Sequence, residues 1–190
     1  QSEVENHFDE PARYLVKASV FHAKGDDKAL SEAVSPLIIV QSGGSHTCRL
    51  DLEVSEPRLW DIENPELYRV LVTVIKDNKV SDLYETNIGF RTLTFTARDG
   101  FLLNGKKTEI KGVCNHHDLG ALGAAFNVRA AERQIEILKE MGCNAIRTSH
   151  NPPAPGLLDL CDKMGMLVQV EAFDAWKTGK KQNDYNTLFY

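Results

Sequence analysis

The chain has 190 residues, a formal net charge of −5, and a composition of 42% hydrophobic and 26% charged residues. This is ordinary globular composition, so it excludes a disordered chain, and mild acidity argues against nucleic acid or an anionic membrane surface as the main partner. No apolar run approaches the roughly 20 residues that span a bilayer. We therefore expect a soluble protein with no membrane partner. The sequence does not separate a cytoplasmic from a periplasmic location.

The first half of the chain has the pattern of a β-sandwich. The predicted strands cover residues 14–21, 36–40, 48–55, 68–75, 83–86 and 89–95. Within 48–55, apolar and polar residues alternate with the period of two expected for a strand with one wet face. Residues 77–79 (Asp-Asn-Lys) are a predicted hairpin turn. Short strands separated by turns over about 100 residues predict a sandwich similar in size to an immunoglobulin-like domain.

The pattern changes near residue 97 to strands that alternate with helices. Predicted strands at 107–113, 143–148 and 166–170 enclose a helix over 128–141, which Asn127 caps, and a helix that begins at Pro155. Such βα units predict a parallel sheet. A complete (β/α)₈ barrel usually needs about 250 residues, so we expect only its first units, within a larger protein. The predicted domains are residues 1–96 and 97–190, a multidomain fold of β followed by α/β structure.

The four cysteines lie far apart and form no C-x-x-C pair, so the spacing of zinc ribbons and redox motifs is absent. We expect them to be free thiols that act as small core residues. They are Cys48, Cys114, Cys143 and Cys161.

Polar side chains follow each of the three strands of the second half. Because sites in parallel α/β proteins form at the carboxyl ends of the strands, we expect one shared site there. Imidazole, guanidinium and indole groups suit a sugar, whose hydroxyls they bind and whose ring an indole can stack on. A metal site of His116, His117 and His150 is the alternative, although adjacent residues of an extended segment point in opposite directions. The residues are 115–118 (Asn-His-His-Asp) after the first strand, Arg147, Ser149, His150 and Asn151 after the second, and Glu171, Asp174 and Trp176 after the third.

Several motifs of the second half together resemble glycoside hydrolase family 2, the family of β-galactosidases and β-glucuronidases. These motifs are FLLNGK (101–106), KGVCNHHD (111–118), MGCNAIRTSHNPP (141–153), LCDKMGMLV (160–168) and EAFDAW (171–176). Upstream, LWDIENPELY (59–68) resembles a segment of the immunoglobulin-like domain that precedes the barrel in that family, and IGFR (88–91) resembles the end of that domain.

The resemblance implies a retaining β-glycosidase, most like the β-galactosidase branch, whose substrate is a β-linked oligosaccharide or glycoside. It implies that both catalytic glutamates lie on later barrel strands, the acid/base within an Asn-Glu pair. No such pair occurs beyond residue 176. We therefore expect no catalytic residue within this chain, the rest of a parent chain as its partner, and no turnover by the chain alone. The implied roles are sugar binding for His116, His150 and Asn151, orientation of the nucleophile for Arg147, and a supporting role for Glu171, Asp174 and Trp176.

No metal or cofactor is expected from the resemblance. Some β-galactosidases bind Mg²⁺ through a Glu-x-His just after the third strand, where this chain has Ala-Trp-Lys at 175–177. Two alternatives stay open: a metal-dependent barrel hydrolase, and a non-catalytic carbohydrate-binding module. A partial barrel would leave a sheet edge and apolar helix faces uncovered, so we also expect the chain to form oligomers or aggregates through that edge.

Overall fold

A computed structural model describes residues 1–25, 28–175, 177–184 and 186–189 of the chain. The chain forms two compact units. The first comprises Gln1–Leu59 and Glu66–Phe90, and the second comprises Trp60–Pro65 and Arg91–Tyr190. The predicted division at residues 96 and 97 stays a proposal. Among the described residues, no helix combines the length and the apolar character needed to cross a bilayer.

The first unit is built from antiparallel strands. The strands are β1 (Ser2–Glu5), β2 (Ala12–His22), β3 (Ser31–Val34), β4 (Ile38–Val40), β5 (Ser45–Cys48), β6 (Tyr68–Lys76) and β7 (Lys79–Ile88). The longest strand, β2, pairs near its start with the short strand β4 and then lies between β3 and β6, giving the order β3-β2-β6-β7 with β4 beside β2. A separate ladder joins β1 and β5. The predicted hairpin turn is confirmed, because Asp77 and Asn78 both have positive φ between β6 and β7.

Alternate residues of these strands bury their side chains in one apolar cluster. The clustered residues are Val4, Ala12, Tyr14, Val16, Ile38, Val40 and Cys48, with Leu50, Val72 and Val74 packed against them. At about 25 cal/mol per Å² of apolar surface removed from water, this burial stabilises the sheets.

One predicted strand of the first unit is wrong. Residues 49–58 follow β5 without joining a ladder, yet Leu50, Leu52 and Val54 are half-buried while their neighbours Arg49, Asp51 and Glu53 are exposed. The alternation of apolar and polar residues therefore indicates which side chains face the core, but it does not indicate which backbone groups form ladder hydrogen bonds.

Asn6 is a fully buried polar residue that connects three parts of the first unit. Its Nδ2 donates to the carbonyl oxygens of Glu10 and Val40, at 2.9 and 3.0 Å. Its Oδ1 accepts from the Tyr14 hydroxyl at 2.9 Å and from the Phe8 amide at 3.2 Å. Every polar atom of this side chain is therefore satisfied, which a buried amide requires.

Replacing Asn6 with alanine should lower the free energy of unfolding of the first unit by about 3 kcal/mol, because several buried partners lose their hydrogen bonds. Hydrogen exchange at the β2 and β4 amides measures the loss. Asn87, which is exposed on β7, provides the control: Asn87→Ala should stay within about 0.5 kcal/mol of the parent chain. Equal protection in the two variants would contradict the prediction.

After Arg91, the second unit forms the strands β8 (Leu93–Thr96), β9 (Gly100–Leu103) and β10 (Lys106–Lys107). They make a three-stranded antiparallel sheet in the order β10-β9-β8. The Asn104-Gly105 turn between β9 and β10 is confirmed, with positive φ at both residues. The strand predicted over 89–95 is shorter and later than expected, and the strand predicted over 107–113 is divided between β10 and the next element.

Three parallel strands that alternate with two helices follow, together with a short 3₁₀ helix and a third, short α-helix, which confirms the predicted βα pattern. The elements are β11 (Gly112–His116), a short 3₁₀ helix (Gly120–Leu122), α1 (Val128–Glu140), β12 (Ala145–Ser149), α2 (Pro155–Met164), β13 (Leu167–Gln169) and α3 (Asn186–Phe189). Asn127 caps α1 as predicted, its Oδ1 accepting from the Ala130 amide at 3.0 Å. The helices and the sheet bury a common apolar cluster that includes Ile135, Ile146 and Cys161.

The Trp60–Pro65 segment packs within the second unit. Trp60 is 1% exposed, and its indole Nε1 donates to the Asp162 carbonyl of α2 at 2.7 Å. Lys139 of α1 donates to the carbonyls of Met164 and Ile62, at 2.6 and 3.5 Å. The segment therefore lies against the carboxyl end of α2 and is held there by an indole and an ammonium group.

Candidate functional site

The register of the parallel sheet decides which side chains share a face. Cys114 of β11 is level with Arg147 of β12, and His116 is level with Ser149. Since side chains alternate along a strand, these four residues lie on one face. Ile146, which lies between Arg147 and Ala145, belongs to the opposite face and packs in the helix-covered cluster. The candidate site therefore occupies the sheet face opposite α1 and α2.

Glu171, just after β13, is the centre of the site. Its Oε2 lies 2.8 Å from Nη2 of Arg147 and 2.8 Å from Nδ1 of His150. The hydrogen bond from His150, together with the nearby Arg147 guanidinium, lowers the pKa of the Glu171 carboxyl. The group is thus an ionised anchor that binds one side chain from β12 and one from the loop that follows it.

The same contact fixes how His150 presents its ring. Because an ionised carboxylate only accepts hydrogen bonds, Nδ1 of His150 carries the hydrogen and Nε2 is directed away from Glu171. The His116 ring stands edge-on to the His150 ring, with centroids 5.7 Å apart and an interplanar angle of 88°. Both imidazoles are exposed. The peptide bond between Ser149 and His150 is cis. Two exposed imidazoles therefore meet at the carboxyl ends of β11 and β12.

Arg147 is held on its other side as well. Its Nη1 donates to Sγ of Cys114 and to Oγ of Ser149, each at 3.4 Å. The interaction with Cys114 raises the pKa of Arg147, and the same guanidinium lowers the pKa of the Cys114 thiol. The guanidinium is thus bound at both terminal nitrogens, by a carboxylate at Nη2 and by sulfur and hydroxyl acceptors at Nη1.

Thr148 supports Glu171 from the other face of β12. Its side chain is buried, and its Oγ1 accepts from the Glu171 backbone amide at 3.0 Å. This bond ties the segment after β13 to β12 and so places the carboxylate near Arg147.

Other predicted residues have different surroundings. The His117 ring stacks near Phe126, and its Nε2 lies 3.0 Å from the Ala124 carbonyl oxygen. Asn151 donates from Nδ2 to the carbonyl of Pro152, its neighbour in sequence. Asp174 is half-buried beyond β13, and the predicted role of Trp176 lies outside the described residues. The structure thus brings together His116, Arg147, His150 and Glu171 of the predicted set.

The metal-dependent alternative required His116, His117 and His150 to converge. His117 instead turns into the loop before α1, as its contact with Ala124 shows. Over the described ranges, no group of three or more His, Cys, Asp or Glu side chains could hold a common metal ion.

Sequence reasoning missed two residues of the site: Cys114 as a contact of Arg147 and Thr148 as a contact of Glu171. Ser149, which was predicted at this strand end, contacts Arg147. The expectation that the cysteines are core residues is wrong for Cys114, which is exposed, whereas Cys48 and Cys161 are buried and Cys143 is half-buried. Burial raises the pKa of the Cys161 thiol to about 12. The available signal was spacing, because Cys114 lies two residues before His116 on the same strand and so shares its face.

Two protein-family models match almost the whole chain. Residues 1–91 match "Glycosyl hydrolases family 2", and residues 96–188 match "Glycosyl hydrolases family 2, TIM barrel domain". The predicted fold class, an immunoglobulin-like domain followed by the start of a TIM barrel, is confirmed.

Curated relatives match about three quarters of the chain. β-Galactosidase BoGH2A of Bacteroides ovatus is 56% identical over 138 residues, which cover 73% of this chain and 16% of that protein. A putative β-glucuronidase of Formosa agariphila is 41% identical over 136 residues, which cover 72% of this chain and 13% of that protein. The chain thus spans less than a fifth of the length of either relative.

Solved structures agree with this picture. A glycosyl hydrolase family 2 member from Bacteroides cellulosilyticus has a TM-score of 0.85 and 40% identity, covering 95% of this chain and 23% of that one. Bacteroides uniformis β-glucuronidase 2, covalently bound to cyclophellitol-6-carboxylate aziridine, has a TM-score of 0.83 and 30% identity, covering 94% and 21%. The order of domains, the motifs and these similarities lead to one conclusion: the chain belongs to glycoside hydrolase family 2.

Proposed function

We propose that the chain contributes the immunoglobulin-like domain and the first barrel strands of a retaining β-glycosidase that acts on terminal β-galactosides. The observation that carries the proposal is the Glu171 carboxylate, which binds Arg147 and His150 together at the carboxyl ends of parallel strands. His116 completes a surface of two imidazoles beside them.

In this proposal the exposed imidazoles bind the sugar. Nε2 of His150 faces away from Glu171 and is available to a hydroxyl group, and His116 offers a second ring nitrogen. Hydrogen bonds to sugar hydroxyls that strengthen as the anomeric carbon becomes cationic lower the barrier to reaction. Arg147, whose guanidinium is bound at both terminal nitrogens, orients the nucleophilic carboxylate.

Glu171 itself is unsuited to the bond-breaking roles. A general acid needs a carboxyl that stays protonated near neutral pH, whereas the hydrogen bond from His150 lowers the pKa of Glu171. Its Oε2 is also engaged by two cationic or hydrogen-bonding partners, so it is a poor nucleophile. Retaining hydrolysis needs two carboxyl groups about 5–5.5 Å apart. We propose that both come from later barrel strands of a longer protein.

Two relatives support the finer parts of the proposal. The 56% identical relative is named a β-galactosidase, which favours galactosides. The covalent adduct of the Bacteroides uniformis β-glucuronidase supports a mechanism with a glycosyl-enzyme intermediate. A β-glucuronide specificity is the competing outcome, because relatives with that name also match.

The full-length protein that contains this chain should hydrolyse para-nitrophenyl β-galactoside faster than the matching β-glucuronide, and proton NMR should detect the β-anomer as the first product. The isolated 190-residue chain should show no turnover above a mock purification. First release of the α-anomer would contradict the retaining mechanism. Faster hydrolysis of the β-glucuronide would overturn the proposed β-galactoside specificity. Turnover by the isolated chain would overturn the proposal that both catalytic carboxyl groups come from a longer protein.

A further inference from the structure

Cys114 occupies a position next to the most constrained cation of the site. It is level with Arg147 in the β11–β12 register and exposed on the same sheet face. Its Sγ lies 3.4 Å from Nη1 of Arg147, and Oγ of the buried Ser149 lies at the same distance from Nη1. The sulfur is therefore a hydrogen-bond partner of the guanidinium.

This contact restricts the guanidinium in a way that Glu171 alone does not. Glu171 binds Arg147 through one carboxylate oxygen at Nη2. A planar group with several donors that is bound at one nitrogen can still turn about that contact. Acceptors at Nη1 remove this freedom and fix the plane of the guanidinium.

We propose that Cys114 is a positioning residue, whose sulfur holds the Nη1 side of Arg147 in the orientation that the site uses. The meaning of that orientation for catalysis rests on the proposed function. The contact itself does not, since it is measurable without a substrate.

The charges around the thiol give the contact a pH dependence. Hydrogen bonds from Arg147 and the Ser149 hydroxyl favour the thiolate and lower the pKa of Cys114, while desolvation and the Glu171 carboxylate act in the opposite direction. The imidazoles of His116 and His150 are two further titratable groups at this end of the sheet. As pH rises the thiolate forms, and its ion pair with Arg147 strengthens the contact.

The thiol can be tested by alkylation of the 190-residue chain. Iodoacetamide rates for each cysteine, measured by peptide mass spectrometry over a pH series, give a midpoint for Cys114. Arg147→Gln should move that midpoint to higher pH and slow alkylation at neutral pH about threefold or more. Arg133→Gln, which removes an exposed arginine of α1, should leave it in place. Equal midpoints in all three proteins would overturn the proposal.

The effect on Arg147 needs a separate measurement. If Cys114→Ala releases the guanidinium, the interaction of Arg147 with Glu171 weakens. The Glu171 carboxyl should then titrate at higher pH, and carbon-detected NMR measures that titration. Cys114→Ser keeps an acceptor and should restore the parent titration, and the half-buried Cys143→Ala should not change it. A Glu171 titration that is the same in Cys114→Ala and in the parent chain would overturn the positioning role.

These results separate the two proposals. Coupling between thiol and guanidinium with full turnover by an Arg147 variant of the longer protein would contradict the proposed function and leave the role of Cys114 in place. Loss of turnover by the Arg147 variant, without coupling between the Cys114 thiol and the guanidinium, would contradict the role of Cys114 and leave the proposed function in place.

Discussion

Gly165→Ala should cost the second unit about 3–4 kcal/mol of unfolding free energy, because two penalties act at one position. Gly165 ends α2 with φ of +72°, a left-handed conformation that alanine adopts only with strain. A Cβ there would also meet the backbone of Ile62, lying 2.9 Å from its carbonyl carbon and closer still to its oxygen. The Trp60–Pro65 segment would have to move away.

Gly142→Ala is the matched control. Gly142 follows α1 with φ of +86°, and a Cβ there would meet no atom within 4 Å. It should cost only about 1 kcal/mol, the conformational part of the penalty. Urea unfolding followed by tryptophan fluorescence in a Trp176→Phe background measures both, since Trp60 then reports alone. Equal losses of unfolding free energy in the two variants would contradict the prediction, because they would show that the Trp60–Pro65 segment moves away from the added Cβ without loss of stability.

Glu171→Gln should lower kcat/KM of the full-length protein about 100-fold, because misplaced catalytic groups cost rate steeply. Glutamine keeps the shape of the side chain but loses the charge that binds Nη2 of Arg147 and Nδ1 of His150. The amide also offers donors to two groups that are themselves donors. Both the orientation of the nucleophile and the tautomer of His150 should therefore be disturbed, so kcat should fall more than KM rises.

Steady-state kinetics with para-nitrophenyl β-galactoside measures this effect. Glu109→Gln is the control, since Glu109 is exposed in the same unit and pairs only loosely with Lys111 at 3.6 Å. It should leave kcat/KM within about twofold of the parent value. A Glu171→Gln enzyme with parent-like kinetics would refute the anchoring role.

Local rules predicted the helices of the second unit better than its strands. Asn127 caps α1 and Pro155 begins α2 as predicted, because helix starts depend on residues within one turn. Strands depend on partners far along the chain, so the alternation in 49–55 matches burial although these residues join no ladder. For the same reason, Lys107–Val113 did not form one strand: β10 pairs with β9, whereas β11 pairs with β12.

The site was predictable to the extent that it follows strand ends. His116 ends β11, and His150 and Glu171 follow β12 and β13. Arg147 lies in the middle of β12, on the face that His116 shares. The sheet brings these residues together, and their roles toward a sugar stay predictions. The contacts of Cys114 and Thr148 depend on the β11–β12 register and on the path of the chain after β13. The spacing of Cys114 and His116 along one strand indicates a shared face, but no local pattern identifies the contact partners, and a cysteine beside apolar residues is more often a core residue.

The Trp60–Pro65 segment makes the second unit discontinuous in sequence. A gene cut at residue 91 would remove the indole that binds Asp162 and the backbone that lies against Gly165. During synthesis, this segment leaves the ribosome well before α1 and α2 exist and must wait for them. When such proteins are divided, fused or circularly permuted, residues 60–65 should therefore stay with the barrel strands or be added as a separate peptide.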